Sequence, residues 1–283
     1  MEDDLLAAGS MVLRARRSAG GRSDAPLIVA LHGAGYDARY FDAPGSSVHT
    51  MLAAEGLPLV SVTRPGYPAD AQSAAVQPDF SGTASLVSLA IEDAWRRWGE
   101  SRPGVVLLGH SVGSAISVHV AASPRSWPLL GLAISGVGDR PAAAPVAMFG
   151  SLPRTTLLDI PFAQCRRVFY GPDHTLDPEV LDAVSTLMVP FPATDAIEVN
   201  TSWPTDLAEL ASRVDVPLHY VLAELDGLWE TGSERVDSVA AMFRNAPWVE
   251  ARNWADTGHN IEHHSAAREY VASVAAFVRR VVG

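Results

Sequence analysis

Six short, almost uninterrupted apolar runs recur along the 283-residue chain, at 27–31, 57–62, 105–108, 129–134, 217–223 and 248–254. A strand that is apolar on both faces has to be covered on both faces, which is the situation of a parallel sheet held between two layers of helix. The stretches between the runs supply that cover. Val87, Ile91, Trp95 and Trp98 fall on one side of a helix, as do Val236, Val239, Ala240 and Phe243, and again Tyr270, Val274, Phe277, Val278 and Val281. Strand and helix in alternation predict an α/β chain whose ligands bind beyond the carboxyl ends of the strands. With 48% hydrophobic and 19% charged residues there is apolar material for one large core, and a chain of this length fits a single one.

The alternation breaks between about Gly138 and Thr205, where prolines are frequent and one helix is clear, 177–188, with Asp177 as N-cap and Pro178 at its first position. Nearly 70 residues without a strand pattern inside a compact domain predict a helical cap or lid. The expected organisation is a core of residues 1–137 and 205–283 with a cap inserted at 138–204. Ahead of Leu27 only 11–17 alternates well, so the N-terminal edge of the sheet is expected to be shortened.

Composition removes several kinds of chemistry. The net charge is −11 and the basic groups are scattered, so neither nucleic acid nor an anionic membrane surface is an expected partner. All 21 basic residues are arginine. Without lysine there is no Schiff base, no lysine-anchored pyridoxal phosphate and no phosphate-binding lysine. Cys165 is the one cysteine, which leaves no intrachain disulfide and no multi-cysteine metal site. The nine histidines show no metal spacing, and Glu262-His263-His264 reads as a polar, solvent-facing helix start. The expectation is a protein that needs no metal or other cofactor. An acidic start, Met1-Glu2-Asp3-Asp4, and the lack of an apolar window of membrane length predict a soluble, cytoplasmic chain.

The strand ends carry the chemistry. After the run at 105–108 comes Gly109-His110-Ser111-Val112-Gly113 and then a helix of small residues, a strand-to-helix elbow that projects a serine hydroxyl from the sheet. After the run at 27–31 comes His32-Gly33-Ala34-Gly35, whose backbone can approach a substrate closely; His32 is expected to brace the loop. A serine becomes a nucleophile when a histidine accepts its proton, and the histidine needs an acid to fix its tautomer. His259, between the last strand and the last helix, is the chosen base, with His263 and His264 as competitors. Asp226, after the run at 217–223, is the chosen acid; Asp139 and Glu224 are alternatives. The chain order nucleophile, acid, base suits this assignment.

With HGAG, GHSVG, the segment Ala223-Glu224-Leu225-Asp226-Gly227 and the Gly258-His259 dipeptide, the chain resembles the α/β-hydrolase superfamily over nearly its whole length. The loop Thr63-Arg64-Pro65-Gly66-Tyr67-Pro68 is similar to the D-x-R-G-x-G loop of many members, lacking its Asp and one Gly. The resemblance implies the α/β-hydrolase fold and a serine hydrolase. Ser111 would attack a carbonyl, His259 would carry the proton, Asp226 would orient His259, and the amides of Ala34 and Val112 would hold the oxyanion. The expected partner is a small-molecule acyl substrate, an ester, thioester or lactone, cleaved through an acyl-enzyme. An acyltransferase, a cyclase or a carbon–carbon bond hydrolase on the same triad, and a non-catalytic ligand-binding member, are the alternatives. Tyr36, Tyr40, Phe149, Met188, Phe191, Trp203 and Trp229 are expected to line a moderately hydrophobic pocket.

Overall fold

The structure, a computed structural model, describes the whole chain except residues 19, 68–77, 100, 150 and 151 and the side chain of residue 148. Pro68 of the loop singled out above therefore lies outside the described residues. Eight strands form one sheet: β1 Glu2–Ala8, β2 Met11–Arg17, β3 Leu27–Leu31, β4 Leu59–Val62, β5 Val105–His110, β6 Leu129–Ser135, β7 Leu218–Ala223 and β8 Val249–Trp254. Their order is β1-β2-β4-β3-β5-β6-β7-β8. β2 runs antiparallel to β1 and β4, and every other neighbouring pair is parallel. The apolar runs behave as their composition demands. Along β3 and β5 successive side chains go to opposite faces, Val29, Leu31 and Leu107 into one core and Ile28, Ala30, Val106 and Leu108 into the other.

The helices are α1 Val48–Ala54, α2 Phe80–Trp98, α3 Val112–Ala121, α4 Ala143–Phe149, α5 Phe162–Tyr170, α6 Pro178–Ser185, α7 Ala193–Asn200, α8 Ser202–Ala211, α9 Ser233–Ala240 and α10 Ala267–Val282. Val87 and Ile91 of α2, Ile116 of α3, Leu207 of α8 and Val236 of α9 fill one core; Leu52 of α1 and Val274 and Phe277 of α10 fill the other. From β3 the chain crosses to β4 on one side of the sheet, and later enters β5 on the other side of β3. Strand order reverses there, and such a reversal opens a crevice above the carboxyl ends of β3 and β5.

Two expectations change. The N-terminal edge is a full hairpin rather than a shortened one, with β1 turning into β2 through Gly9, whose φ of +67° suits glycine. Its acidic start hides a strand because Asp and Glu are poor strand formers; here Asp3 faces Arg16 and Glu2 faces Arg17 across the hairpin, while Leu6 and Leu13 are buried. The segment between β6 and β7 also holds more helix than expected, with α4, α5 and α7 beside α6. Pro161 and Pro192 do not break it; they stand immediately before α5 and α7, where a missing N–H costs nothing. α6 begins at Pro178, with the Asp177 carboxylate accepting from the Glu179 amide at 2.8 Å, and stops at Ser185. α8 runs across position 204, the expected end of the cap.

Candidate active site

Ser111 joins β5 to α3 with φ 55° and ψ −125°, a conformation that side-chain-bearing residues rarely adopt. The turn is held by the Ser111 amide donating to the Ser135 carbonyl on the neighbouring strand at 2.8 Å. Its two glycines are required by crowding. A Cβ on Gly109 would come within 2.6 Å of the Ser114 Cα. One on Gly113 would overlap the Leu31 carbonyl oxygen, so the glycine lets α3 begin directly against the end of β3.

Loops after β7 and β8 bring two further residues to the serine. His259 Nε2 lies 2.9 Å from Ser111 Oγ, and His259 Nδ1 lies 2.7 Å from Asp226 Oδ2. The other carboxylate oxygen of Asp226 accepts from the Leu228 amide at 2.8 Å, which fixes the plane of the group. An ionised Asp226 draws the imidazole proton to Nδ1 and leaves the Nε2 lone pair facing the serine hydroxyl. All three side chains are buried. Such an arrangement can take the proton from Ser111 as its oxygen attacks a carbonyl.

The loop after β3 is braced against the serine. His32 Nδ1–H donates to the Gly33 carbonyl at 2.7 Å, and His32 Nε2 accepts from the Arg64 amide at 3.0 Å. Arg64 Nε donates to the His32 carbonyl at 2.9 Å. Burial, with Arg64 alongside, pushes the His32 imidazole well below its ordinary range, so it stays neutral and serves as a brace. Arg64 in turn is fully buried and pairs with Asp195 of α7 at 2.8 Å, and the Tyr67 hydroxyl donates to the same carboxylate at 2.7 Å. Ala34 and Val112 both border the cavity above Ser111. Val112 opens α3, where amide hydrogens have no partner within the helix.

That cavity encloses about 580 Å³ of empty space, part of it open to solvent. Of the seven residues expected to line it, Phe149, Phe191 and Trp229 do so, joined by Phe169, Val199 and Leu228. Tyr36, Tyr40, Met188 and Trp203 stand behind the wall, because each has a partner there. The Tyr36 hydroxyl meets that of Tyr170 at 2.7 Å, Tyr40 donates to Glu262, Trp203 Nε1 donates to the Gly138 carbonyl, and Met188 packs beside Cys165. Phe169 was missed because α5 itself was not foreseen.

The competing acids are occupied elsewhere. Asp139 Oδ2 lies 3.3 Å from both Arg235 and Ser238 of α9, and Glu224 is exposed and accepts from the Asp256 amide. The largest correction concerns Glu262, His263 and His264, which are 0%, 1% and 4% exposed rather than solvent-facing. Glu262 and His263 lie in a 3₁₀ turn, Ile261–His263, and His264 caps it, all folded into the protein ahead of α10. Glu262 Oε2 accepts from the Tyr40 hydroxyl at 2.7 Å and lies 3.2 Å from His110 Nδ1, while Ser135 donates to Oε1 at 3.1 Å. His263 bridges the Tyr170 hydroxyl and the Tyr40 carbonyl, and His264 meets Thr175. Nothing in the local pattern of residues 261–264 marks this burial, since every partner comes from a distant segment. No group of three or more His, Cys, Asp or Glu among the described residues is arranged to hold a metal ion. No helix among them is long and apolar enough to cross a membrane.

Comparison with known proteins finds a family and a set of similar folds. The profile described as "Alpha/beta hydrolase family" matches residues 28–274. A 119-residue stretch is 29% identical to protein phosphatase methylesterase 1 of Pongo abelii, covering 41% of this chain and 28% of that protein. Among solved structures, a thermostable carboxyl esterase from Bacillus coagulans superposes with a TM-score of 0.73 at 15% identity over 100% of both chains. A soluble variant of monoglyceride lipase from Saccharomyces cerevisiae gives 0.72 at 12% identity over 99% of this chain and 95% of that one. An enol-lactonase from Burkholderia xenovorans gives 0.68 at 15% identity over 98% and 100%.

Proposed function

The chain belongs to the alpha/beta hydrolase family, and from that premise we propose that it is a serine hydrolase that cleaves a small to medium carboxylic ester through an acyl-enzyme. The observation that carries the reading is the unbroken line from Ser111 Oγ through the His259 ring to the Asp226 carboxylate, with steps of 2.9 and 2.7 Å. In the proposed cycle His259 takes the Ser111 proton as Oγ bonds to the carbonyl carbon, and Asp226 stabilises the imidazolium. The carbonyl oxygen becomes an oxyanion held by the Ala34 and Val112 amides, an interaction worth about 3 kcal/mol per donor in comparable sites. His259 then protonates the leaving alcohol, and a water activated by the same ring releases the acid. The aromatic and aliphatic wall, which includes no arginine among the described residues, favours an uncharged, moderately hydrophobic substrate. The similar proteins are named for cleaving esters, a lipid ester or a lactone, the bond this site would attack.

A fluorophosphonate probe tests the reading directly. Wild-type protein is expected to be labelled at Ser111 and to hydrolyse short p-nitrophenyl esters, and both properties should vanish in Ser111→Ala. A folded wild-type protein that resists the probe and leaves the esters intact would sink the assignment.

A further inference from the structure

Ser111 and His259 come from segments 148 residues apart, and their sequence neighbours meet as well. His110 precedes Ser111 and Asn260 follows His259; both are buried, and His110 Nε2 lies 3.0 Å from one end of the Asn260 side-chain amide. Two links therefore join the elbow to the base loop side by side. One runs through Ser111 Oγ and His259 Nε2 at 2.9 Å, the other through His110 and Asn260. The second has no use in the cycle proposed above.

Each partner of the second link is held from behind. His110 is stacked on Tyr40 with ring centroids 4.8 Å apart, and its Nδ1 faces the Glu262 carboxylate at 3.2 Å, so the direction of Nε2 is fixed. Asn260 is held through backbone and side chain alike. Its backbone N–H donates to the Phe169 carbonyl at 3.0 Å, and the far end of its side-chain amide meets the Tyr170 hydroxyl. The residue ahead of the histidine is pressed onto the end of the same helix, α5: a Cβ on Gly258 would come within 2.7 Å of the Tyr170 carbonyl. A hydrogen bond between two groups that cannot turn away fixes the spacing of the segments that carry them.

The two links part company during the reaction. While Ser111 keeps its proton, its hydrogen bond to His259 helps to hold the base over the elbow. Once Oγ has bonded to the acyl carbon, that proton has left with the alcohol and Oγ no longer donates. His259 then keeps Asp226 but loses its own tie to the elbow. It must still stay near the acyl carbon, where it takes a proton from the attacking water. The link between His110 and Asn260 contains neither Oγ nor the His259 ring, and passes through that stage unchanged.

We propose that Asn260 is a positioning residue that holds the His259 loop over the elbow in the acyl-enzyme, so that its contribution falls on the hydrolytic half of the cycle. This rests on the serine hydrolase reading above. Rapid-quench mass spectrometry of a single turnover of p-nitrophenyl butanoate measures formation and loss of the acyl-enzyme on Ser111 separately. Asn260→Leu, close to asparagine in volume and without a hydrogen-bonding group, is expected to slow loss about tenfold more than formation, so that the acyl-enzyme accumulates. Fluorophosphonate labelling, which begins while Ser111 still has its proton, should stay near the wild-type rate. His110→Phe keeps a ring against Tyr40 and cuts the same link from the elbow side, and should give the same pattern; Asn260→Ser serves if neither variant folds. A merely structural role slows labelling, formation and loss together, which overturns the proposal, and so do unchanged rate constants. Wild-type protein that neither takes the label nor forms an acyl-enzyme sinks the hydrolase reading, while a wild type that does both, beside variants with an undisturbed ratio of loss to formation, sinks this inference alone.

Discussion

Two imidazoles lie beside one another at the end of β5, their ring centroids 4.9 Å apart, and each has a carboxylate facing Nδ1. For His259 the acid is Asp226 at 2.7 Å, and the far nitrogen faces the hydroxyl of Ser111. For His110 the acid is Glu262 at 3.2 Å, and the far nitrogen faces the amide of Asn260. The chemistry behind the two rings is alike. What lies in front differs: a hydroxyl that can surrender a proton and become a nucleophile, against an amide that can only hold or offer a hydrogen bond. The carboxylates differ too, since Asp226 is steadied by a backbone amide whereas Glu262 also gathers two hydroxyls from distant strands and loops. In the proposed cycle an acid–imidazole pair is therefore catalytic or structural according to the group its second nitrogen meets.

Neutralising one acid at a time separates the pairs most sharply. Asp226→Asn is expected to lower kcat on p-nitrophenyl esters by about 10⁴-fold, through loss of the correct tautomer, in a protein that still folds. Glu262→Ala should act first on stability, because it strands the donors of Tyr40, Ser135 and His110 in the interior. A loss of roughly 3 kcal/mol or more in a urea titration is expected. Full stability with a collapsed kcat would make Glu262 a second catalytic acid and erase the distinction.

Acid pH probes the second ring directly. Burial lowers the His110 pKa from 6.5 to about 4. In the unfolded chain the ring takes a proton near 6.5, while in the folded protein it stays neutral down to about 4. Stability tied to the neutral ring is thus complete above 6.5 and is lost as pH falls from there toward 4, at roughly 1.4 kcal/mol per pH unit within that window. His49, His219 and His264, each lowered to about 4 chiefly by burial, steepen the same slope. A Tm that stays level from pH 7 to pH 4.5 would contradict this account. The smallest effect is expected at Asp139, whose carboxylate is engaged by Arg235 and Ser238; Asp139→Asn should leave kcat near the wild-type value.

Sequence made one of these rings legible and concealed the other. Ser111 and His32–Gly35 follow apolar runs that can only be buried strands, and Asp226 and His259 follow the last two, so chain order and strand ends were sufficient to nominate them. His110 was visible as part of the elbow, but its environment was not, because Glu262, Tyr40 and Ser135 reach it from separations that no local periodicity records. The same limit explains the pocket. Phe149, Phe191 and Trp229 were named among seven aromatic and sulfur-bearing candidates, and only their packing distinguishes them from Tyr36, Tyr40, Met188 and Trp203. The acidic hairpin strand was hidden for a different reason: its acidic residues lie opposite arginines at the exposed edge, while Leu6 and Ala8, its buried positions, are too few to make a pattern.

The Arg64–Asp195 pair bears on the shape of the cavity. Asp195 sits at the start of α7, and the following turns of that helix supply Ala196, Val199 and Asn200 to the wall. Lifting α7 would part an ion pair that is buried on both sides, at a cost of roughly 3–5 kcal/mol for the uncompensated charge. The buried ion pair therefore holds one helix of the chamber wall against the loop that braces the serine, so that wall keeps its shape whether or not the chamber is filled.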